Sequence, residues 1–157
     1  EMQETVGVSA RREGVELELS AALGHGTLTP AERELLHVAI STENECTYCV
    51  AAHSTLAGMK RIGADTVNAV RTGRAPSDPK LAALLALVRE AVRARGRLSD
   101  ATVTSFLSAV YTRAQLLEVI GHVGLKTIAN YVNNLAETPL DEAFQPQAWT
   151  AGDLQEA

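Results

Sequence analysis

The feature that most constrains the fold is the punctuation of the chain: helix-start signals recur along its length, and no β-branched alternation with hairpin turn residues comes between them. In "TLTPAERELLHVAIS", Thr29 reads as an N-cap, Pro30 takes the first helical position and Glu32 completes a capping box. This predicts a helix from Pro30 to about Ser41. Thr42 and Glu45 repeat the same spacing, with Asn44 as a rival cap, so a second helix is expected to begin just before Cys46 and to run to about Arg61, ahead of Gly63. Asp65 to Thr72 reads as a short helix closed by Gly73, and "RAPSDP" as a polar turn into a helix from Pro79 to Arg95 with Gly96 at its C-cap. A further helix is predicted from Ser99 or Asp100 to Tyr111. Thr112 with Gln115 then opens a long last helix to about Leu135, followed by an irregular tail, "ETPLDEAFQPQAW". Near the start, Val15, Leu17 and Leu19 alternate like a strand, but Val15, Leu19, Ala22 and Leu23 also fit one helical face, and a helix from Ser9 to Leu23, stopped by Gly24, is preferred.

Ala and Leu dominate the composition and aromatics make up only 4 %, which agrees with an all-α fold. With 157 residues, 46 % of them hydrophobic, the chain has material for one core. The expectation is a single-domain helical bundle of about six to seven helices over residues 1–157, with 1–8 and 138–157 as extended termini. The net charge is −5 and the fourteen basic residues are scattered, so a nucleic-acid partner is not expected. The longest apolar run, Leu81 to Val88, is too short to span a bilayer, and the polar start "EMQET" lacks a signal sequence. No membrane partner and a cytoplasmic location are therefore expected.

Both cysteines of the chain and two of its four histidines fall between Glu32 and Ser54. A C-x-x-C pair in an intracellular protein points to redox chemistry or metal rather than a disulfide framework. On a helix, Cys46, Cys49 and His53 lie within a roughly 60° arc, with Val50, Leu56 and Ala57 bordering the same side. Cys49 and His53, at i and i+4, are neighbours, which makes His53 the natural base for Cys49. Cys46, nearer the helix start, gains instead from unpaired backbone N–H groups and the helix dipole. A free cysteine, with a pKa of about 8.5, is only a few per cent thiolate at neutral pH, so a nucleophilic thiol needs such help. The imidazole in turn needs a group to fix its tautomer, and Glu34, on a helix face with Ala31, Val38 and Ser41, is the candidate.

Competing readings attach to the same residues. Two cysteines on an apolar face are often plain core. Zinc is the sharper rival: Cys46, Cys49 and His53 offer three ligands, and only His37 or Glu34 would supply a fourth. Glu32, Glu43 and Glu45 read as first-turn acids or solvent-facing residues, and His25 and His122 as structural or surface residues. Lys126, Asn130, Asn133 and Asn134 read as a solvated helix face, with Asn130 available for a contact between subunits. Gly121 and Gly124 mark close helix packing.

At these residues the sequence resembles the carboxymuconolactone decarboxylase superfamily, and in particular its alkylhydroperoxidase (AhpD-like) branch. That branch carries E-x11-C-x-x-C-x3-H, met here by Glu34, Cys46, Cys49 and His53 with every interval kept. "LTPAERELLHVAIS" and "KTIANYVNNLAETPLDEAF" extend the similarity over about residues 28 to 149. The resemblance implies an all-α AhpD-like fold, thiol-dependent reduction of a hydroperoxide in antioxidant defence, no metal or other cofactor, and homo-oligomers such as trimers or hexamers. Carried over by position, Glu34 and His53 form a proton relay, Cys49 is the thiol it activates, and Cys46 closes a redox disulfide with Cys49. An external dithiol or lipoyl-type reductant would restore the pair. Some members have histidine where this chain has Tyr48, so a possible accessory proton donor there is replaced by a much weaker acid. The order of attack stays open, since the helix terminus favours Cys46 and the histidine favours Cys49. Two alternatives stand beside this reading: a thiol–disulfide exchange or redox-sensing module without peroxidase turnover, and a lactone enzyme like the namesake decarboxylase.

Overall fold

In a computed structural model of the protein, residue 14 and residues 16–154 are described, and the described residues form an all-helical unit. A first helix, α1, occupies 16–24. It is followed by α2 (Pro30–Glu43), α3 (Thr47–Met59), α4 (Ala64–Arg71), α5 (Pro79–Arg93), α6 (Asp100–Ser108) and α7 (Arg113–Leu135), with two 3-10 turns at Glu142–Gln147 and Ala151–Asp153. The predicted helix over Ser9 to Leu23 is present from 16 onward; 9–13 and Val15, like the predicted extended start at 1–8, lie outside the described residues. Among the described residues no helix is long and apolar enough to cross a membrane.

The capping signals operate as the sequence implies. Glu32 N donates to Thr29 Oγ1 at 3.1 Å and Thr29 N to Glu32 Oε2 at 2.8 Å, closing both halves of the capping box of α2. Thr112 and Gln115 do the same for α7. Several helix ends shift by one or two residues, and two differences matter for the site and core. The predicted helix to Tyr111 ends at Ser108, because Val110 turns to φ 68° and swings Tyr111 back into the core, where its ring stacks on Phe106 at 4.5 Å. The cap of α3 is neither Thr42 nor Asn44 but Cys46. Thr42 is still inside α2, its hydroxyl bonded to Ala39 O, and Asn44 is the C-cap of that helix.

That second difference fixes the position of the reactive pair. Cys46 N donates to Ser41 O (2.9 Å) and Glu45 N to Thr42 O (3.1 Å), with Glu45 in the left-handed region at φ 51°. This is a Schellman ending, and it turns the chain within three residues. Cys46 is therefore both the residue that closes α2 and the residue that opens α3.

α2 is the central element, packing against α3, α4, α5 and α7. Its Leu35, Leu36, Val38 and Ile40 join Leu84, Leu85, Leu87 and Val88 of α5, Phe106 of α6 and Val119 of α7 in one core. Of the two glycines expected at close packing, Gly121 holds that place, since a Cβ there would lie 2.7 Å from the Leu23 side chain of α1; Gly124 meets nothing within 4 Å. The segment after α7 folds back on the site half of the molecule. Trp149 is buried and donates its indole N–H to Arg71 O at 2.7 Å, while Arg71 reaches the carbonyl oxygens of Gln147 and Ala148.

Candidate active site

Glu34 comes from the middle of α2 and is only 3 % exposed. A buried carboxylate must be compensated, and both of its oxygens are engaged. His53 Nδ1 donates to Oε1 at 2.5 Å, and the ammonium of Lys60, the C-cap residue of α3, bonds Oε2. Burial pushes the Glu34 carboxyl up, but the hydrogen bonds and charges of His53 and Lys60 outweigh it and hold Glu34 below its ordinary value. The bond to Nδ1 leaves Nε2 of a neutral His53 as the proton acceptor. Burial first, and the nearby Lys126 charge after it, lower the His53 pKa, with Glu34 only partly offsetting them.

Cys46 is fully buried and Cys49 is 3 % exposed; both are free thiols. The Cys49 backbone N–H donates to Cys46 Sγ at 3.3 Å, so the free donor of the α3 N-terminus is spent on Cys46. Cys49 nevertheless is the more acidic thiol, lowered to about 6: the Cys46 thiol donates to its sulfur, burial opposes, and Lys126, Asn130 and Asn133 add to the lowering. Asn133 Nδ2 lies 3.5 Å from Cys49 Sγ and also holds Ala129 O. Cys46 moves the other way, raised by its bond to Cys49 and by burial. The hydrogen bond between the two sulfurs thus favours the thiolate at Cys49 over Cys46, even though Cys46 holds the N-cap position.

The four motif residues thus fall into two bonded pairs, Glu34 with His53 and Cys46 with Cys49. Among the described residues no direct hydrogen bond joins His53 to Cys49. One turn of helix separates them, at i and i+4 of α3. Tyr48 stands apart: its hydroxyl donates to Asp141 Oδ2 at 2.8 Å and its ring packs edge-on against Phe144, with the Asp141 bond pushing its pKa up to about 12.

α7 supplies what the sequence reading missed. Lys126 is 8 % exposed and Asn130 fully buried, with Asn130 Nδ2 on Ser41 Oγ (3.1 Å) and Asn44 Nδ2 on Asn130 Oδ1 (3.0 Å). This is a site-facing series rather than a solvated one. Its spacing of four and three residues continues the face of Val119 and His122, and that continuity is the signal that was available. Asn134 alone keeps to the surface, bonding Asn44 O. His122 is buried as well, its Nδ1 3.0 Å from His37 Nε2, while the His37 ring meets that of His53 edge-on at 5.0 Å. Glu32 and Glu43 are not solvent-facing either: Tyr111 donates to Glu32 at 2.7 Å, and Arg93 makes two bonds to Glu43 at 2.6 and 2.9 Å.

Above His37 and His53 lies a cavity of about 420 Å³. Leu125, Lys126 and Ala129 of α7 form one wall, and Glu16, Leu17 and Ser20 of α1 the other. As possible metal ligands, Glu34, His37 and His53 bring donor atoms within 4.8 Å of one another. This set omits both cysteines, unlike the zinc set weighed from sequence. Lys60 already occupies one Glu34 oxygen.

The histidine cluster has a consequence for stability. His37, His53 and His122 all titrate below the ordinary 6.5, with burial the leading cause in each. Two imidazolium ions cannot share the His37–His122 bond, so geometry and electrostatics agree. Just below pH 6.5 the unfolded chain binds protons that the folded one refuses, and stability therefore falls as pH drops through this window. Glu34, lowered from 4.5, adds its own loss only at more acid pH. Melting temperatures measured from about pH 7 down to about pH 5 should decline, and more shallowly for His37→Leu. Equal melting at both ends would refute the neutral cluster.

The profile of the Carboxymuconolactone decarboxylase family matches residues 10–90. Among solved structures, a peroxidase-related protein of Ralstonia eutropha JMP134, described as an alkylhydroperoxidase AhpD core, superposes with a TM-score of 0.74 at 26 % identity, covering 89 % of this chain and 76 % of that one. A peroxidase-related protein of Silicibacter sp. TM1040 gives 0.74 at 18 % identity, over 83 % and 71 % of the two chains. The debrominase Bmp8 gives 0.75 at 13 % identity, over 98 % and 80 %. No curated protein matches the sequence.

Proposed function

Because the chain belongs to the carboxymuconolactone decarboxylase family, and because its geometry sets an acidified thiol beside a second thiol and a buried Glu–His pair, we propose that it is a thiol-dependent hydroperoxide reductase. The observation that carries this reading is the placement of two free thiols three residues apart at the start of α3, Cys46 accepting from the Cys49 N–H and Cys49 facing Asn133, beside the buried Glu34–His53 pair. In the first step the Cys49 thiolate attacks the distal oxygen of R–O–OH. The O–O bond breaks, the sulfur becomes a sulfenic acid, and the leaving alkoxide takes a proton to become ROH. That proton comes from solvent and is passed on through one water held at Nε2 of His53, which is neutral at rest and oriented by Glu34. Cys46 then attacks the sulfenic sulfur, expelling water and closing the Cys46–Cys49 disulfide. An external dithiol reduces it by exchange and leaves as its own disulfide, so each cycle converts one hydroperoxide and one dithiol to an alcohol, a disulfide and water.

The short reach between residues three apart supports rapid closure, which protects Cys49 from irreversible over-oxidation. The relatives described as peroxidase-related agree with this assignment at the level of fold. The test is consumption of cumene hydroperoxide by the pure protein with dithiothreitol as the electron source. Turnover is expected, with mass spectrometry of the peroxide-treated protein showing the loss of two hydrogens between Cys46 and Cys49. A disulfide that forms and exchanges with dithiols while peroxide is consumed no faster than without protein would favour the thiol–disulfide exchange module instead.

A further inference from the structure

The cavity beside the Glu–His pair has a polar end that the peroxidase reading does not use. Lys126 is more than nine-tenths buried and lines the cavity together with His37 and His53. Among the described residues no hydrogen bond or ion pair reaches its ammonium. The side chain is buried while its ammonium opens on the cavity, where an anionic group of a ligand would give it a charge-assisted hydrogen bond. The space is otherwise shaped by apolar Leu125 and Ala129 on α7 and Leu17 on α1, with Glu16 and Ser20 of α1 as its remaining polar residues. Its volume of about 420 Å³ falls in the range of small-molecule sites, which combine apolar walls with a few convergent polar groups. His37 and His53, both neutral, add hydrogen-bonding nitrogens without adding charge.

We propose that Lys126 is a specificity-determining residue, and that this cavity binds an organic acid whose carboxylate sits on the Lys126 ammonium with its apolar body against Leu125 and Ala129. Joined to the peroxidase reading, on which this part rests, the preferred substrate class is a hydroperoxide that carries a carboxylate. Lys126 and Asn133 lie two turns apart on one face of α7, and Asn133 reaches Cys49 Sγ, so a substrate anchored at Lys126 would extend along that face toward the reacting sulfur. Small uncharged peroxides lack the anchoring group and gain nothing from it.

Binding is tested apart from catalysis by titrating the protein with benzoate and with its neutral counterpart benzamide, followed by calorimetry. Benzoate should bind the wild type more tightly than benzamide does. In Lys126→Met it should weaken about 10- to 100-fold, the scale of losing one charge-assisted hydrogen bond, with benzamide unaffected. Lys126→Arg, which keeps the charge, should retain the preference and guards against misfolding of the methionine variant. Equal binding of the two probes, no binding of benzoate, or benzoate binding that survives Lys126→Met would overturn the proposal. In turnover, the ratio of kcat/KM for 4-carboxycumyl hydroperoxide to that for cumene hydroperoxide should fall by a similar factor in Lys126→Met, mainly through KM. An unchanged ratio would make Lys126 a counter-ion of the thiolate and nothing more. Were no peroxide turned over at all, a benzoate preference that depends on Lys126 would sustain the anchor while the peroxidase reading failed.

Discussion

Cys49→Ala is expected to abolish peroxide turnover, with a loss on the order of 10⁴- to 10⁶-fold, the scale of removing a covalent nucleophile. Cys46→Ala should behave differently. Its Cys49 has still a buried, partly compensated thiolate beside Lys126 and Asn133, so one equivalent of peroxide should be consumed and a sulfenic acid trapped on Cys49 by dimedone. Multiple turnover should stop there, for want of the second sulfur. The bond from the Cys46 thiol is the largest contribution to the acidity of Cys49, so the single-turnover rate of Cys46→Ala should move to higher pH. In the wild type that rate should rise with pH around a midpoint near 6, because a depressed thiol is reactive above its pKa and silent below it. A sulfenic acid trapped on Cys46 in Cys49→Ala, at wild-type rate, would reverse the assignment.

Glu34→Gln and His53→Phe are each expected to cut turnover by about 10- to 10⁴-fold, the range for losing an acid–base group together with part of its orientation. The two residues act on one proton. Glu34 fixes the imidazole through Nδ1 at 2.5 Å, and the imidazole handles the proton that ends on the leaving oxygen. The double variant should therefore be little worse than the worse single one. Since Cys49 is acidified by its α7 neighbours and by Cys46 rather than by a direct bond to His53, the loss should fall on protonation of the leaving group. Substituting a hydroperoxide with a more acidic leaving alcohol should rescue both variants. Near-wild-type turnover in both would exclude the relay from the rate-determining chemistry.

Much of this arrangement is legible in the sequence, and the exceptions share a cause. The capping boxes at Thr29 and Thr112 are local, complete within four residues, and they appear where the sequence places them. The spacing of Glu34, Cys46, Cys49 and His53 is likewise carried by two successive helices. The cap of α3 was misplaced because Thr42 and Asn44 obey the same local rule, and only the αL turn at Glu45 decides between them. Glutamate is not the residue that such a turn advertises. Lys126, Asn130, Asn133 and His122 were taken for surface or ordinary structure because polarity outweighed periodicity. Their partners, Ser41, Asn44, Cys49 and His37, lie more than eighty residues away, beyond any helical spacing.

The three-residue turn between α2 and α3 has a consequence for the order of events as the chain folds. Closing so short a loop costs little entropy, whereas α7 must be brought back across more than sixty residues. The helical hairpin, with Glu34, both cysteines, His53 and Lys60, can assemble once residue 60 has left the ribosome. At that stage Cys49 has its bond from Cys46 but lacks Lys126, Asn130 and Asn133, so its thiol is only partly acidified. Docking of α7 supplies those neighbours last. On the mechanism proposed above, the hairpin would bring the Glu34–His53 pair and both thiols together first, and the last part of the acidification of Cys49 would come with the docking of α7.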